Sequence, residues 1–316
     1  VITVGAGDKM FWGRVAAKIA GVPVIASALH STGWPDGVGR LNRKLTCITD
    51  AFIGVAESHG EFLTTFEGFP ASKVNVIRNG VDCDRFHGSP TARQSLRNEL
   101  GIPNDAPVVG LVAALRSEKN HAMLLNTAAM IRDQNRDSRL GQTHWVIVGD
   151  GPERPAIENL RDKLGLASHV HLLGTRHDTP ELVAGMDVFA LTSLNEASPV
   201  SILEALACCV PVVSTDVGSI SESVIQGVTG CLVPSQDVPA MANAVSQLLN
   251  DPENARRMGA QGRERVVTTG SLDSMVRGYE SLATRLYDSK ILKNAISLPR
   301  PAKVSPKEQP TNSVSY

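Results

Sequence analysis

The feature that most constrains this chain is a sustained alternation of short β-branched runs with helical stretches between residues 108 and 233. The runs at 108–114, 145–148, 170–173, 188–191, 212–215 and 231–233 are nearly continuous in apolar residues, so neither face of such a strand suits water. Helices predicted at 120–134, 152–164, 179–184, 199–209 and 220–226 supply the crossovers that parallel strands require. The expectation is an α/β, six-strand, Rossmann-like domain. The earlier segment repeats the pattern, with strands at 1–4, 22–28, 51–56 and 74–77 and helices at 10–20, 41–46 and 59–67.

A chain of 316 residues with 42% apolar content suits two cores better than one. Because a parallel sheet needs cover on both faces, four visible strands predict an amino-terminal Rossmann-like domain that is incomplete as it stands. The reading assigns 1–86 to that domain, 87–106 to a Pro-, Asn-, Ser- and Arg-rich linker, and 107–270 to the second domain. An amphipathic helix is expected at 271–288, with Ser271 as N-cap and Leu272, Met275, Val276, Tyr279, Leu282, Ala283 and Leu286 at helical spacing. Residues 289–316, rich in Pro, Lys, Ser and Asn, are expected to be a disordered tail.

Thirty-one Lys and Arg against 32 Asp and Glu give a net charge of -1, which offers no field for nucleic acid. Five cysteines without a C-x-x-C argue against both a disulfide framework and a zinc knuckle. No apolar run reaches membrane-spanning length, so a cytoplasmic protein is expected. Weak peripheral membrane contact rests on the basic cluster Arg40, Arg43 and Lys44, for which a solvated helix face is the default.

The segment from Asn195 to Glu204 follows a strand and enters a helix. Ser198 reads as its N-cap and Pro199 as its first residue, leaving the amides of Val200 and Ser201 free to meet a phosphate. The helix beyond is apolar on nearly every side except at Glu204. A carboxylate there needs partners, and a ribose diol bound near the helix start, about 6 Å back along the axis, would supply them. A structural ion pair is the competing explanation.

The spacing of Glu196 and Glu204 resembles the E-x7-E motif of retaining GT-B glycosyltransferases of family 4. Residues 76–82, followed by Phe86, resemble the end of that family's first domain, and residues 146–152 its second-domain strand and turn. The resemblance covers residues 1–288. It implies two Rossmann-like domains facing across a cleft, and transfer of a sugar from a nucleotide-diphosphate sugar, with UDP-sugar favoured over GDP-sugar. The acceptor would be a glycan or lipid-linked glycan, the configuration retained, and neither cofactor nor metal needed.

The resemblance also implies roles for particular residues. Glu196 and Ala197 would face the donor sugar, Glu204 the ribose, and the start of the helix at Ser198, Pro199, Val200 and Ser201 the diphosphate. Lys119 would neutralise the leaving group, His30 would bond the donor, and Gly149, Gly151 and the backbone of Arg176 would lie beside the nucleotide. Ala114 stands where the family commonly has an arginine. Arg116, on the same strand face if the strand extends that far, is the expected replacement. A GT-B nucleotide-sugar epimerase and a nucleotide-sugar-binding chain without transfer remain open as alternatives.

Three other motifs lead elsewhere. Gly5-Ala6-Gly7 lacks the third glycine of a dinucleotide fingerprint, since Met10 holds its place. Asp82-Cys83-Asp84 spells a metal-binding D-x-D but reads as turn chemistry. His169 and His171 share a strand face with no third metal ligand apparent.

Overall fold

In the computed structural model the described residues are 1–5, 8–30 and 39–297. The first sheet contains β1 (Ile2–Gly5), β2 (Ala26–Leu29), β3 (Ala51–Gly54) and β4 (Val74–Val76), paired in that order and all parallel. Its helices are α1 (Asp8–Ile19), α2 (Gly39–Lys44) and α3 (Glu57–Thr65). Alternation along β3 sends Phe52 to one face, where it stacks on Phe69 and packs with Leu63 of α3. Ala51 and Ile53 point to the other.

That second face is covered by a helix from far along the chain. The last helix carries Met275, Tyr279, Leu282 and Leu286 onto Ala26, Ala28, Ala51, Ile53 and Ile77. Lys290 Nζ fastens it further, 2.8 Å from an Asp50 carboxylate oxygen and 2.5 Å from the Pro23 carbonyl. The helix runs from Leu272 to Ser297 rather than stopping at 288. The rest of the expected tail, 298–316, lies outside the described residues.

The segment expected to be a linker instead holds α4 (Ala92–Leu100), with Ala92, Leu96 and Arg97 buried. The second sheet follows: β5 (Val108–Val112), α5 (His121–Gln134), β6 (His144–Val148), α6 (Arg154–Lys163), β7 (Val170–Leu172), α7 (Thr179–Ala184) and β8 (Val188–Leu191). Then come α8 (Val200–Ala207), β9 (Val212–Thr215), α9 (Ile220–Ser223), β10 (Gly230–Val233), α10 (Val238–Asn250), α11 (Pro252–Thr269) and the long α12 (Leu272–Ser297). All six strands are parallel in the order β10-β9-β8-β5-β6-β7. Strand order reverses between β5 and β8, which makes the gap beyond their carboxyl ends the topological switch point where open α/β sheets bind ligands.

Two chain crossings join the domains side by side. Val81 donates its amide to the Gly270 carbonyl at 2.9 Å, and Leu272 donates to the Val81 carbonyl at 2.8 Å. A Cβ on Gly80 would sit 2.4 Å from the Ser271 carbonyl oxygen, so only glycine lets these strands approach. Nearer the cleft, Glu222 of α9 accepts from the Glu57 and Ser58 amides at 2.9 Å each and from the Ser58 hydroxyl at 2.8 Å. A carboxylate of one domain thereby caps the amino end of α3 in the other. Among the described residues no helix is long and apolar enough to cross a membrane.

Candidate active site at the switch point

The loops after β5 and β8 meet at the switch point because they are tied together. The Thr192 hydroxyl donates to the Lys119 and Asn120 carbonyls at 3.1 Å, and the Leu194 amide to the Glu118 carbonyl at 2.8 Å. Asn120 turns the chain with a left-handed φ of 49°, a conformation asparagine tolerates better than most residues. The result places Lys119 Nζ 2.5 Å from Glu196 Oε1. The Ser193 hydroxyl donates to the same oxygen at 2.7 Å, and Glu196 is only 8% exposed.

The backbone of Glu196 is pinned from the other side by the loop after β9. Gly218, at φ +57°, approaches so closely that a Cβ there would lie 1.8 Å from the Glu196 carbonyl oxygen. The Ser219 amide donates to that carbonyl at 3.3 Å, and its hydroxyl to the Ala197 carbonyl. Glu196 and Ala197 then face a cleft of about 340 Å³ between the domains, whose opposite wall is Ser58, His59, Phe62 and Phe66. Phe62 and Phe66 stack with centroids 4.9 Å apart, and Phe66 is 65% exposed.

The helix after this loop begins one residue later than expected. Pro199, with ψ of 114°, is the N-cap, so Ser198 does not cap α8. Its carbonyl instead accepts from Asn79 Nδ2 across the domain boundary at 2.9 Å. Val200 and Ser201 are the first two helical residues, whose amides lie ahead of any intrahelical acceptor.

Glu204 sits one turn in, half-buried among Ile202, Leu203, Ala205 and Leu206. Its carboxylate has no hydrogen bond or ion pair to any described residue. Burial pushes its carboxyl above the usual range, and Arg85, near enough only to act through its charge, opposes this in part. Arg85 itself donates to the His177 carbonyl at 3.1 Å. The structural ion pair that would have explained Glu204 is therefore missing among the described residues.

Gly149 and Gly151 pack the β6 turn against the end of β5. Cβ atoms there would lie 2.0 Å from the Ala113 carbonyl oxygen and 2.4 Å from that of Leu115. Arg176 is held by Asp178 and Glu99, at 2.5 and 2.6 Å, and hydrogen bonds to both raise its pKa. His30 follows the end of β2 and is exposed; Ser31, Thr32 and Gly33 lie outside the described residues, as do Ala6 and Gly7 of the glycine motif.

Arg116 is not brought to Glu196. The strand ends at Val112, so the shared face assumed for Arg116 does not exist, and its side chain is 64% exposed with Glu118 3.9 Å away. Two neighbours of the site carried no sequence signal. One is Arg85. The other is His121, 3% exposed behind Lys119, whose pKa is lowered to about 4 by burial and by the lysine charge, so the ring stays neutral.

Beside β7, His144 of β6, a third histidine that the strand pattern did not reveal, joins His171 at 2.9 Å, stacks on its ring, and lies tilted to His169 with ring centroids 5.2 Å apart. Even so, no described group of three or more His, Cys, Asp or Glu is placed to hold a metal ion.

Residues 92–265 match the family model of glycosyl transferases group 1. The chain belongs to that family. Within it, the chain is 35% identical over 205 residues to the GDP-mannose-dependent alpha-(1-6)-phosphatidylinositol monomannoside mannosyltransferase of Mycolicibacterium smegmatis, covering 61% of this chain and 52% of the relative. It is 31% identical over 251 residues to the D-inositol 3-phosphate glycosyltransferase of Corynebacterium urealyticum, covering 75% of this chain and 58% of the relative. The chain thus spans somewhat more than half the length of these curated relatives.

Among solved structures, Anabaena HepE in complex with UDP and glucose superposes with a TM-score of 0.80 at 23% identity, over 91% of this chain and 78% of that one. Sucrose-phosphate synthase from Thermosynechococcus elongatus gives 0.76 at 24%, over 91% and 73%. The fold of this group 1 chain is therefore GT-B, as its motifs led one to expect.

Proposed function

We propose that this chain transfers a sugar from a nucleotide-diphosphate sugar, preferentially a UDP-sugar, to a glycan or lipid-linked glycan, with retention and without a metal. The observation that carries the proposal is the Lys119–Glu196 pair held at the switch point and facing the interdomain cleft. An ammonium has three donors, and Glu196 is the only described group that accepts one from Lys119. The remaining two are free for a departing diphosphate.

Negative charge develops on that leaving group as the glycosidic bond breaks, and preorganised cations and amides lower the barrier by several kcal/mol in a site shielded from water. Lys119 and the amides of Val200 and Ser201 have this character. Glu196 would accept hydroxyls of the transferred sugar, and Glu204 the ribose diol. The exposed Phe66 and the half-buried Phe62 opposite Glu196 suit the apolar side of an acceptor sugar ring. Solved relatives in complex with UDP and with UDP-glucose support the donor class.

A panel of UDP-, GDP- and ADP-sugars tests this reading, first by thermal shift and then by product analysis with saccharide and lipid-linked acceptors in the presence of EDTA. Stabilisation by a UDP-sugar and acceptor-dependent release of UDP with the product's configuration retained are expected. Activity that EDTA abolishes and Mn²⁺ or Mg²⁺ restores, an inverted product, or conversion of the donor without acceptor would each refute the corresponding part.

A further inference from the structure

A second cavity, of about 390 Å³, opens at the amino ends of β8 and β9, at the far edge of the sheet from the Lys119–Glu196 pair. Its volume falls in the usual range for small-molecule pockets, roughly 300–1,000 Å³. Three arginines line it: Arg93 from α4, Arg139 from the turn before β6, and Arg256 from α11. The one acidic lining residue is Asp187.

Asp187 is already engaged. Its carboxylate accepts from Arg97 Nη2 at 2.7 Å, from the Val108 amide at 2.8 Å and from Arg93 Nη1. Arg139 is fixed by backbone carbonyls, Nε to Asp105 at 2.9 Å and Nη1 to Leu249 at 3.1 Å, so its position is set while its charge has no counter-ion among the described residues. Arg256 has neither a hydrogen bond nor an ion pair to a described residue. Asp187 is therefore shared by Arg93 and Arg97, and among the described residues Arg139 and Arg256 have no carboxylate of their own.

Burial, and after it the charges of Arg93 and Arg139, lower the pKa of Arg97 to about 10. An oxyanion is the group that relieves such an excess, and guanidinium forks match its geometry. The rest of the lining is apolar, formed by Met186, Pro211, Leu248 and Leu249.

We propose that this pocket binds a phosphorylated small molecule, its phosphate held by Arg139, Arg256 and Arg93 and its apolar part resting on Met186, Pro211 and Leu249. The site lies across the sheet from the donor cleft, so its ligand does not compete with the nucleotide sugar.

Isothermal titration of the full chain with inorganic phosphate and with phenyl phosphate tests the inference, using Arg139→Gln, Arg256→Gln and Lys119→Met variants. Phenyl phosphate should bind more tightly than phosphate, and each arginine variant should weaken it by about tenfold, the usual effect of losing one charge-assisted bond. Lys119→Met should leave it unchanged. Arg256 contacts no described partner, so its substitution does not endanger the fold. The proposal is overturned if phenyl phosphate fails to bind at millimolar concentration, if the arginine variants bind it normally, or if binding is lost only in Lys119→Met.

Discussion

Replacing Glu204 with glutamine separates binding from folding more cleanly than any other change in the site. In the unliganded chain the carboxylate is half-buried, unpaired and desolvated, and its raised pKa means that the ionised form is disfavoured by the fold. A group of this kind destabilises the folded state above its folded pKa, and that penalty is relieved as pH falls through it. Neutral Glu204→Gln should therefore leave the unliganded melting temperature at pH 7 unchanged or raise it slightly.

Nucleotide affinity should move the other way. If the carboxylate accepts from ribose hydroxyls, losing one such charged hydrogen bond costs about 1.5–3 kcal/mol, or roughly 10- to 150-fold in Kd. Calorimetry with UDP and thermal denaturation of the same two proteins measure both quantities. An unchanged Kd would remove Glu204 from the donor site. A fall of more than about 4 °C in the unliganded melting temperature, equivalent to about 1–2 kcal/mol for domains of this size, would mean that the carboxylate has a structural partner.

Lys119→Met should lower kcat by about 10²–10³ in a steady-state transfer assay while donor KM changes less, because its charge matters most as the diphosphate departs; equal losses in a binding assay would contradict this. Glu222→Gln should lower the melting temperature by about 2–4 °C at pH 7, the scale of one helix cap. Although burial pushes its carboxyl up, the Ser58 and Glu57 amides, the Ser58 hydroxyl and Arg78 hold it below the ordinary value of 4.5. Its contribution is thus present above about pH 4.5 and lost as pH falls through the folded pKa, and the variant's acid melting curve should lack that loss.

His144 is held near pKa 4 by burial and by His171, His169 and Arg97. Its neutral form belongs to the fold, so stability should decline from pH 6.5 toward 4, and His144→Gln should flatten that decline in chemical denaturation. Phe66→Ala should raise acceptor KM without changing UDP affinity.

The second sheet was legible because its strands are buried on both faces, which leaves an unbroken run of β-branched residues. Where the rule failed, polarity misled. Helix α4 hides behind Arg97, a buried arginine whose Nη atoms donate to the Arg93, Gly185 and Ala106 carbonyls and to Asp187, contacts that no local pattern encodes.

Glu196 and Lys119 were singled out by the family resemblance, yet their 2.5 Å approach depends on the order in which β5 and β8 pair. The cap at α8 was misplaced by one residue because Asn79, far away in sequence, holds the Ser198 carbonyl. Arg116 was expected at the site only on the assumption of a longer strand, whereas β5 stops at Val112 and the Arg116 amide turns back onto the Ala114 carbonyl at 2.9 Å.

The paired crossings at Val81 and Leu272 carry a practical consequence for cutting and grafting this molecule. Physical neighbourhood and chain order part company there, since the terminal helix roofs the sheet built by the first residues. A chimera exchanging the second domain needs two splice points, one near 81 and one near 271, and a truncation at 271 would strip the first sheet of a whole face. Limited proteolysis within α12 should accordingly unravel the amino-terminal half before the carboxy-terminal one.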